Sequence, residues 1–455
     1  MSLTDSKSKR LTILCALYLA QGIPWGFMDI TLVNYLIDKG TSVGEAAGVA
    51  AFILLPWAFK LVWAPLMDTV TLRKMGRRRP WIIAAQMMMG VTLIGVLMIP
   101  DITADLTMLK WMFFLHNIFA SMQDVATDAL AVDLLPAEEQ GRANGMMWGS
   151  KLVGYGGGGY LFAQMIEYSG SIQLAVYAQM ALLGCIMILP MVWLERSGET
   201  RFPWSRGGEN IVKEMNYGNP RALGFNLVIA FTVRTTCLYL LFTLLHNLGP
   251  EIGKFMAKGI CKDELSWTHI DLTSMRLNAL LPEMLLAGTA GILSQAWGRR
   301  TILVLGMGSY AALNIVAAAF PQLWTTTNFP AIYLVLSPGL IAVGSVGFLS
   351  LAMRISWTQA LGTVFTCYMA LSNVSAVIGK QFVGVLHGTL EWSYYDCFYC
   401  AAFFALLPLL FLPYIRPSQM DDPGLIRGAI NNLNETTADW LRQTTDTDDR
   451  PEEGQ

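Results

Sequence analysis

The chain has 455 residues, of which 54% are hydrophobic and 14% charged, with a net charge of −2 and a mean hydropathy of +0.45. A soluble domain carries about a quarter charged residues, so this composition excludes a soluble fold and implies a polytopic membrane protein. A net charge near zero gives no reason to expect a nucleic-acid partner.

A membrane helix needs about 20 apolar residues, and about twelve such runs begin near residues 11, 45, 80, 109, 141, 172, 221, 272, 300, 329, 357 and 393. The pattern predicts an all-α protein of twelve transmembrane helices in two six-helix bundles. The first run passes Gly22, Pro24 and Gly26 to about Ile37, too long for a signal-peptide core. After the second run comes Asp68 and then the basic turn Arg73, Lys74, Gly76, Arg77, Arg78, Arg79. A basic turn between apolar runs reads as a cytoplasmic loop. The abbreviated turn Gly298-Arg299-Arg300 repeats it almost half a chain later, so the halves read as tandem homologues. Most other basic residues fall on the same side, and the positive-inside rule then puts both termini in the cytoplasm.

The fourth run carries Gln123, Asp124 and Asp128, followed by Asp133 and Arg142 at its end. Asp124 and Asp128 are one helical turn apart and share a face. Lys60, Lys151, Arg234, Glu283 and Lys380 also fall within or at the ends of spans. Each charge at a bilayer centre costs about 2.5 to 3.5 kcal/mol. The set must therefore pair internally or line a wet cavity. Gly154 and Gly156 to Gly159 make a helix face nearly free of side chains, which suits close helix packing first and a flexing point second.

Residues 196–220 are polar and rich in Gly and Pro, and read as a cytoplasmic linker between a bundle over 1–195 and a second over 221–415. Residues 250–271, with Lys254, Lys258, Lys262 and His269, read as the longest outer loop, able to hold a short helix. Residues 416–455 are acidic and poor in apolar residues, a disordered cytoplasmic tail with at most a short helix near 425–441. Seven scattered cysteines give neither a disulfide framework nor a metal site, and no cofactor is expected. The histidines show no metalloprotease spacing. An enzyme or a receptor built on the same bundle is thereby disfavoured.

The two basic turns resemble the loop signatures of the major facilitator superfamily of secondary transporters. Ala64 and Thr69 depart from that pattern, and Gln295 stands where the second copy usually has an acid. Phe59 to Asp68, the turn through Arg79, Gln123 to Ala129 and Leu135 to Gly141 are similar to the AmpG branch, whose relatives include acetyl-coenzyme A transporters. The second half resembles it only around Trp357 to Gln359 and Ser372 to Asn373.

The resemblance implies a proton-coupled symporter in a bacterial inner membrane. The imported solute would be large and polar, such as an anhydro-muropeptide, with a siderophore or an acetyl-coenzyme A-like anion as alternatives. The partners would be the solute, protons and lipid, and the protein a monomer. Asp124, Asp128 and Glu283 would handle protons, and Lys60, Gln123, Lys151, Arg234 and Lys380 would meet the solute. Asp68, Gly76, Arg77, Arg78, Asp133, Arg142, Arg299 and Arg300 would form the cytoplasmic gate.

Overall fold

The computed structural model describes residues 2–69, 74–202, 204–205, 234–355 and 361–417, apart from Thr103, Pro136 and Thr327. The helix expected near 425–441, most of the linker and the Trp357 to Gln359 region lie outside the described residues, as do the side chains of Asp68, Arg142 and Gln295.

The first half runs α1 (Lys7–Gly26), a π turn (Phe27–Leu32) and α2 (Val33–Asp38), then α3 (Val43–Leu54), a 3-10 turn (Leu55–Phe59) and α4 (Lys60–Thr69). It continues through α5 (Arg79–Leu97), α6 (Leu106–Leu134), α7 (Ala137–Leu152), a second π turn (Val153–Gly158), α8 (Gly159–Ser169) and α9 (Ile172–Val192). The second half runs α10 (Arg234–His246), α11 (Leu248–Asp263), α12 (His269–Trp297), α13 (Arg299–Ala319), the short α14 (Gln322–Thr326) and α15 (Phe329–Ile355). It closes with α16 (Leu361–Val383), a π turn (Gly384–Thr389), α17 (Tyr394–Leu406) and a 3-10 turn (Leu407–Tyr414). The described residues hold no β-sheet beyond one bridge between Ser2 and Leu194.

Eight helices among the described residues are long and apolar enough to cross a membrane. The runs expected to begin near 45, 109, 141 and 221 are interrupted or carry charge where described: 43–69 holds Lys60, 106–134 holds Asp124 and Asp128, 137–169 holds Lys151, and 234–263 holds Lys254 and Lys258. The segment expected as an outer loop, 250–271, is a correction: its first part is the buried helix α11. Its apolar residues Ile252, Phe255, Met256 and Ile260 recur at helical spacing, and all are fully buried.

The first and last described residues mark one end of the bundle, here the terminal end. The Leu3 N–H donates to the Leu194 carbonyl, and the Arg416 N–H donates to the Thr235 hydroxyl at the start of α10. Helices that start at the opposite, far end are capped by side chains: Ser42 with Glu45 on α3, Asp105 on α6, Thr268 with Asp271 on α12, and Ser393 on α17. Each cap satisfies donors that the first turn leaves unpaired.

The halves meet at the far end. One apolar cluster there mixes Val33, Ile37, Val43 and Ala47 with Ile252, Phe255, Ile260 and Leu386. At the terminal end each half keeps its own cluster, one around Leu14, Met67 and Leu130 and the other around Tyr239, Leu303 and Tyr368. The described residues are therefore closed between the halves at the far end and separated toward the terminal end.

Within the first half, α1 lies against the second π turn without intervening side chains. A Cβ on Gly22 would stand 2.1 Å from the Lys151 carbonyl oxygen, one on Gly26 2.2 Å from the Tyr155 oxygen, and one on Gly154 2.7 Å from the Leu19 oxygen. Close packing and a helix irregularity thus coincide, with π geometry over 153–158. Alanine normally stabilises a helix interior by about 1 kcal/mol over glycine. Here overlap with rigid backbone outweighs that gain, since overpacking costs about 1 to 3 kcal/mol. Gly22→Ala is expected to lower the melting temperature in detergent, whereas Gly48→Ala, with nothing within 4 Å, should leave it unchanged or raise it. Equal melting temperatures would show that the α1 contact yields without cost.

Candidate functional site

Three polar clusters stand out among the described residues, and each follows from where its helices cross. The first is contained in the first half. Asp124 of α6 is buried between two lysines, Lys60 at the start of α4, in direct contact, and Lys151 at the end of α7, 3.0 Å away. Lys60 lies over the Trp57 ring at 4.6 Å, and Lys151 lies 5.4 to 5.8 Å from the rings of Tyr18, Trp25, Trp57 and Trp148. Aromatic faces stabilise a desolvated ammonium by up to about 2 kcal/mol. Asp128, one turn on, is exposed and accepts a hydrogen bond of 2.5 Å from the Tyr18 hydroxyl. Among the described residues no cation lies within 4 Å of it. The stacked aspartates are therefore electrostatically unlike, one neutralised twice over and the other held by a neutral donor. Gln123 is buried beside them, with its amide 3.5 Å from the Leu17 carbonyl.

The second cluster joins the halves. Asp29, in the first π turn, receives the Tyr155 hydroxyl at 2.7 Å and faces Lys254 at 2.6 Å and Lys380 at 3.4 Å. Glu251 lies 3.8 Å from Lys254 and 3.7 Å from Lys380. Lys258 reaches only the Asp29 main-chain carbonyl, at 3.4 Å. Beside Lys380 and Asp29 a narrow cavity of about 20 Å³ opens, bounded also by Trp25, Trp57 and Asn117, with room for about one water. Further out, Asp38 meets Lys262 at 3.2 Å and His269 at 3.4 Å, and His269 lies 3.6 Å from Glu167. Lys254, Lys258 and Lys262 are each four residues apart, so α11 turns one basic stripe toward Asp29 of the first π turn and Asp38 of α2.

The third cluster lies at the terminal end. The Glu195 carboxylate accepts the main-chain N–H groups of Arg77 at 3.1 Å, Arg78 at 2.8 Å and Arg79 in direct contact. α5 lacks a side-chain cap of its own, and a carboxylate at a helix N-terminus meets both its free donors and its dipole. Gly76 sits at φ +101° to make the turn, where glycine alone is unstrained. Arg78 pairs with Asp133 at 3.1 Å, and Arg79 donates to the carbonyls of Met75, Thr200 and Arg201. Burial pushes the Glu195 carboxyl above its ordinary value, against the pull of the three N–H groups. Burial and the neighbouring Glu195 charge push Glu199 up to about 7.

Of the residues singled out from sequence, Lys60, Gln123, Asp124, Asp128 and Lys151 come together, and Lys380 joins the seam cluster. Glu283 pairs with Arg276 at 2.6 Å, and Arg276 lies 4.8 Å from the Tyr155 ring. Arg234 is exposed at the start of α10 and Arg299 at the start of α13, while Arg300 donates to the Ile415 carbonyl. Sequence reasoning missed Asp29, Tyr18, Lys254, Lys258 and Glu195. Asp29 sits inside an apolar run, the signal that found Asp124. The lysines of α11 show a period of four that separates a helix face from a loop.

Comparison with known proteins follows the same division. The family model described as Acetyl-coenzyme A transporter 1 matches residues 10–166. An uncharacterised protein of Haemophilus influenzae is 23% identical over 92% of this chain and 98% of its own length. The anhydromuropeptide permease of Escherichia coli is 32% identical over 135 residues, a stretch covering 29% of this chain and 26% of the permease. In structure, the nucleoside transporter NupG superposes with a TM-score of 0.65 at 13% identity, covering 91% of this chain and 99% of that one. A D-xylose-proton symporter gives 0.63 at 11%, covering 90% and 98%. The chain shares its fold with these two transporter structures. In sequence, the similarity to the anhydromuropeptide permease and to the acetyl-coenzyme A transporter model is confined to part of the chain.

Asp124 has a plain test. Removing one partner of a buried pair costs about 3 to 5 kcal/mol, more than removing both. Lys151→Gln and Asp124→Asn should each lower the melting temperature, and the double variant should lie above the sum of the single losses by the equivalent of about 1 to 3 kcal/mol. Strict additivity would mean that the 3.0 Å pair carries no coupling.

Proposed function

We propose that the chain is a proton-coupled symporter that imports a large polar solute, an anhydro-muropeptide being the first candidate, with both termini in the cytoplasm. The observation that carries the proton coupling is the inequality of the two aspartates. Lys60 and Lys151 supply two positive charges, and Asp124 and an ionised Asp128 supply two negative ones. The cluster is then balanced. Among the described residues Asp128 has no cation within 4 Å, and it is exposed and held by the Tyr18 hydroxyl. A proton taken there leaves the cluster with one positive charge, which favours an anionic group of the solute. Release of both restores the balance.

Import follows from orientation. The basic turn over 73–79 and the other basic residues gathered near the chain ends support a cytoplasmic terminal end. The opening between the halves then faces the cytoplasm. Rocking of one bundle against the other would expose the same cluster to the outside. The AmpG likeness supports a muropeptide, and the family model over 10–166 supports an acetyl-coenzyme A-like anion as the second reading.

In proteoliposomes, uptake of anhydro-muropeptides, siderophores and acetyl-coenzyme A with and without a protonophore identifies the solute and the coupling. On the transported solute, Asp128→Asn is expected to abolish accumulation driven by a pH gradient while sparing exchange, because exchange needs binding and rocking but no net proton movement. Equal loss of both modes, or unchanged accumulation, would sink the proton role.

Orientation is checked by cysteine labelling in whole cells. Gly40→Cys, at an exposed far-end turn, should react with an impermeant probe from outside. Ile260, inside the former loop, is fully buried and unsuited to such a probe. Reaction of the Gly40→Cys protein only from the cytoplasmic side would invert the model of import.

A further inference from the structure

The seam cluster holds more positive charge than its acids neutralise. Lys254, Lys258 and Lys380 belong to the second half, Asp29 to the first, and Glu251 lies on the same helix as two of the lysines. Three cations thus face two carboxylates. Lys258 is only 8% exposed, and among the described residues no carboxylate lies within 4 Å of its ammonium. A desolvated ammonium whose sole polar contact is a carbonyl at 3.4 Å is a poor structural element, because burial of charge is expensive without a close counter-charge. Asp29, whose carbonyl Lys258 meets, and Lys380 line a cavity that Trp25 and Trp57 flank.

We propose that Lys254, Lys258 and Lys380 form a binding site for an anionic group of the solute, a carboxylate or a phosphate, and that Asp29 occupies this site from the opposite half when the far end is closed. The proposal deepens the transporter reading and rests on it. Asp29 acts as a tethered counter-ion. Its carboxylate already sits where an incoming anion would make charge-assisted hydrogen bonds to Lys254 and Lys380. Lys258, which the tethered carboxylate leaves unmatched, would complete the set for a free anion not fixed to the Asp29 backbone. An arriving anion would release Asp29 from the lysines, and with it a contact that ties the halves together. Opening the far end and loading the anion would be one exchange of partners. The flanking indole rings suit a ring attached to the anion, since they offer apolar faces beside the charge.

The test reads binding on the purified full chain, without transport or a proton gradient, so its outcome is independent of the role of Asp128. Melting temperature is followed against citrate, inorganic pyrophosphate and, as a neutral control, N-acetylglucosamine, with chloride holding ionic strength constant. Asp29→Asn empties the site of its tethered anion and should bind citrate or pyrophosphate at least tenfold more tightly than the native chain. Adding Lys258→Gln to Asp29→Asn should weaken that binding about tenfold, the weight of one charge-assisted hydrogen bond. The neutral sugar should shift neither variant. The stronger of the two anions names the class, carboxylate or phosphate. An Asp29→Asn protein insensitive to both anions, or one whose anion binding survives Lys258→Gln unchanged, overturns the site. If Asp29→Asn cannot be purified, Lys258→Met in the native background decides. A lysine kept for a ligand should be replaceable with a rise in melting temperature, and a fall would make it structural and end the proposal.

Discussion

Charge in a medium of low dielectric constant needs a partner within reach, and the seam between the two halves is arranged around that need. Asp29 stands at its centre, with lysines from α11 and α16 on one side and the Tyr155 hydroxyl on the other. Its pairs cross from one bundle to the other, as do Asp38 with Lys262 and His269 further out. The apolar cluster of the far end packs the same helices together, and the low dielectric constant it provides strengthens the pairs. Closure of the far end and pairing of these charges are therefore one event.

The position of Asp29 depends in turn on a contact that has no charge at all. Gly22 and Gly26 of α1 rest on the backbone of Lys151 and Tyr155, too close for any side chain. That approach brings Tyr155 to Asp29 and holds Lys151 where it reaches Asp124. Two π turns lie at the same level, over 27–32 and 153–158. A π turn shifts the side chains beyond it around the helix axis. Regular α geometry through either segment would carry Asp29 or Tyr155 away from the partner it now meets.

Much of this was legible in the sequence, and the losses have physical causes. Hydropathy reveals helices because lipid demands internally satisfied backbone, so the bundle and its two halves could be read off directly. Asp124 and Asp128 announced themselves as carboxylates in an apolar run. The lysines of α11 did not, because a helix that buries charges against another helix has the composition of a loop, and only its period gives it away. Glu195 was hidden differently. Its partners are main-chain N–H groups over a hundred positions earlier, and main-chain donors leave no mark in a sequence. The unequal surroundings of the two aspartates were equally out of reach, since Lys60 and Lys151 lie on helices whose crossing decides which carboxylate they meet.

The two buried charge groups differ in what rigid-body rocking can do to them. Asp124, Lys60 and Lys151 all belong to the first bundle, and a motion that keeps each bundle intact leaves their distances unchanged. Asp29 and its lysines belong to different bundles, and the same motion must separate them. Separation takes the Asp29 carboxylate from the lysines and leaves three ammonium groups with Glu251 alone. Water entering from the opened side would serve for some of that cost, and an anion would serve for more, because a charged ligand restores what water only dilutes. If the lysines bind the solute as proposed, an empty carrier would lose more on opening its far end than a loaded one. The difference in energy between those two openings is the coupling between solute binding and bundle motion.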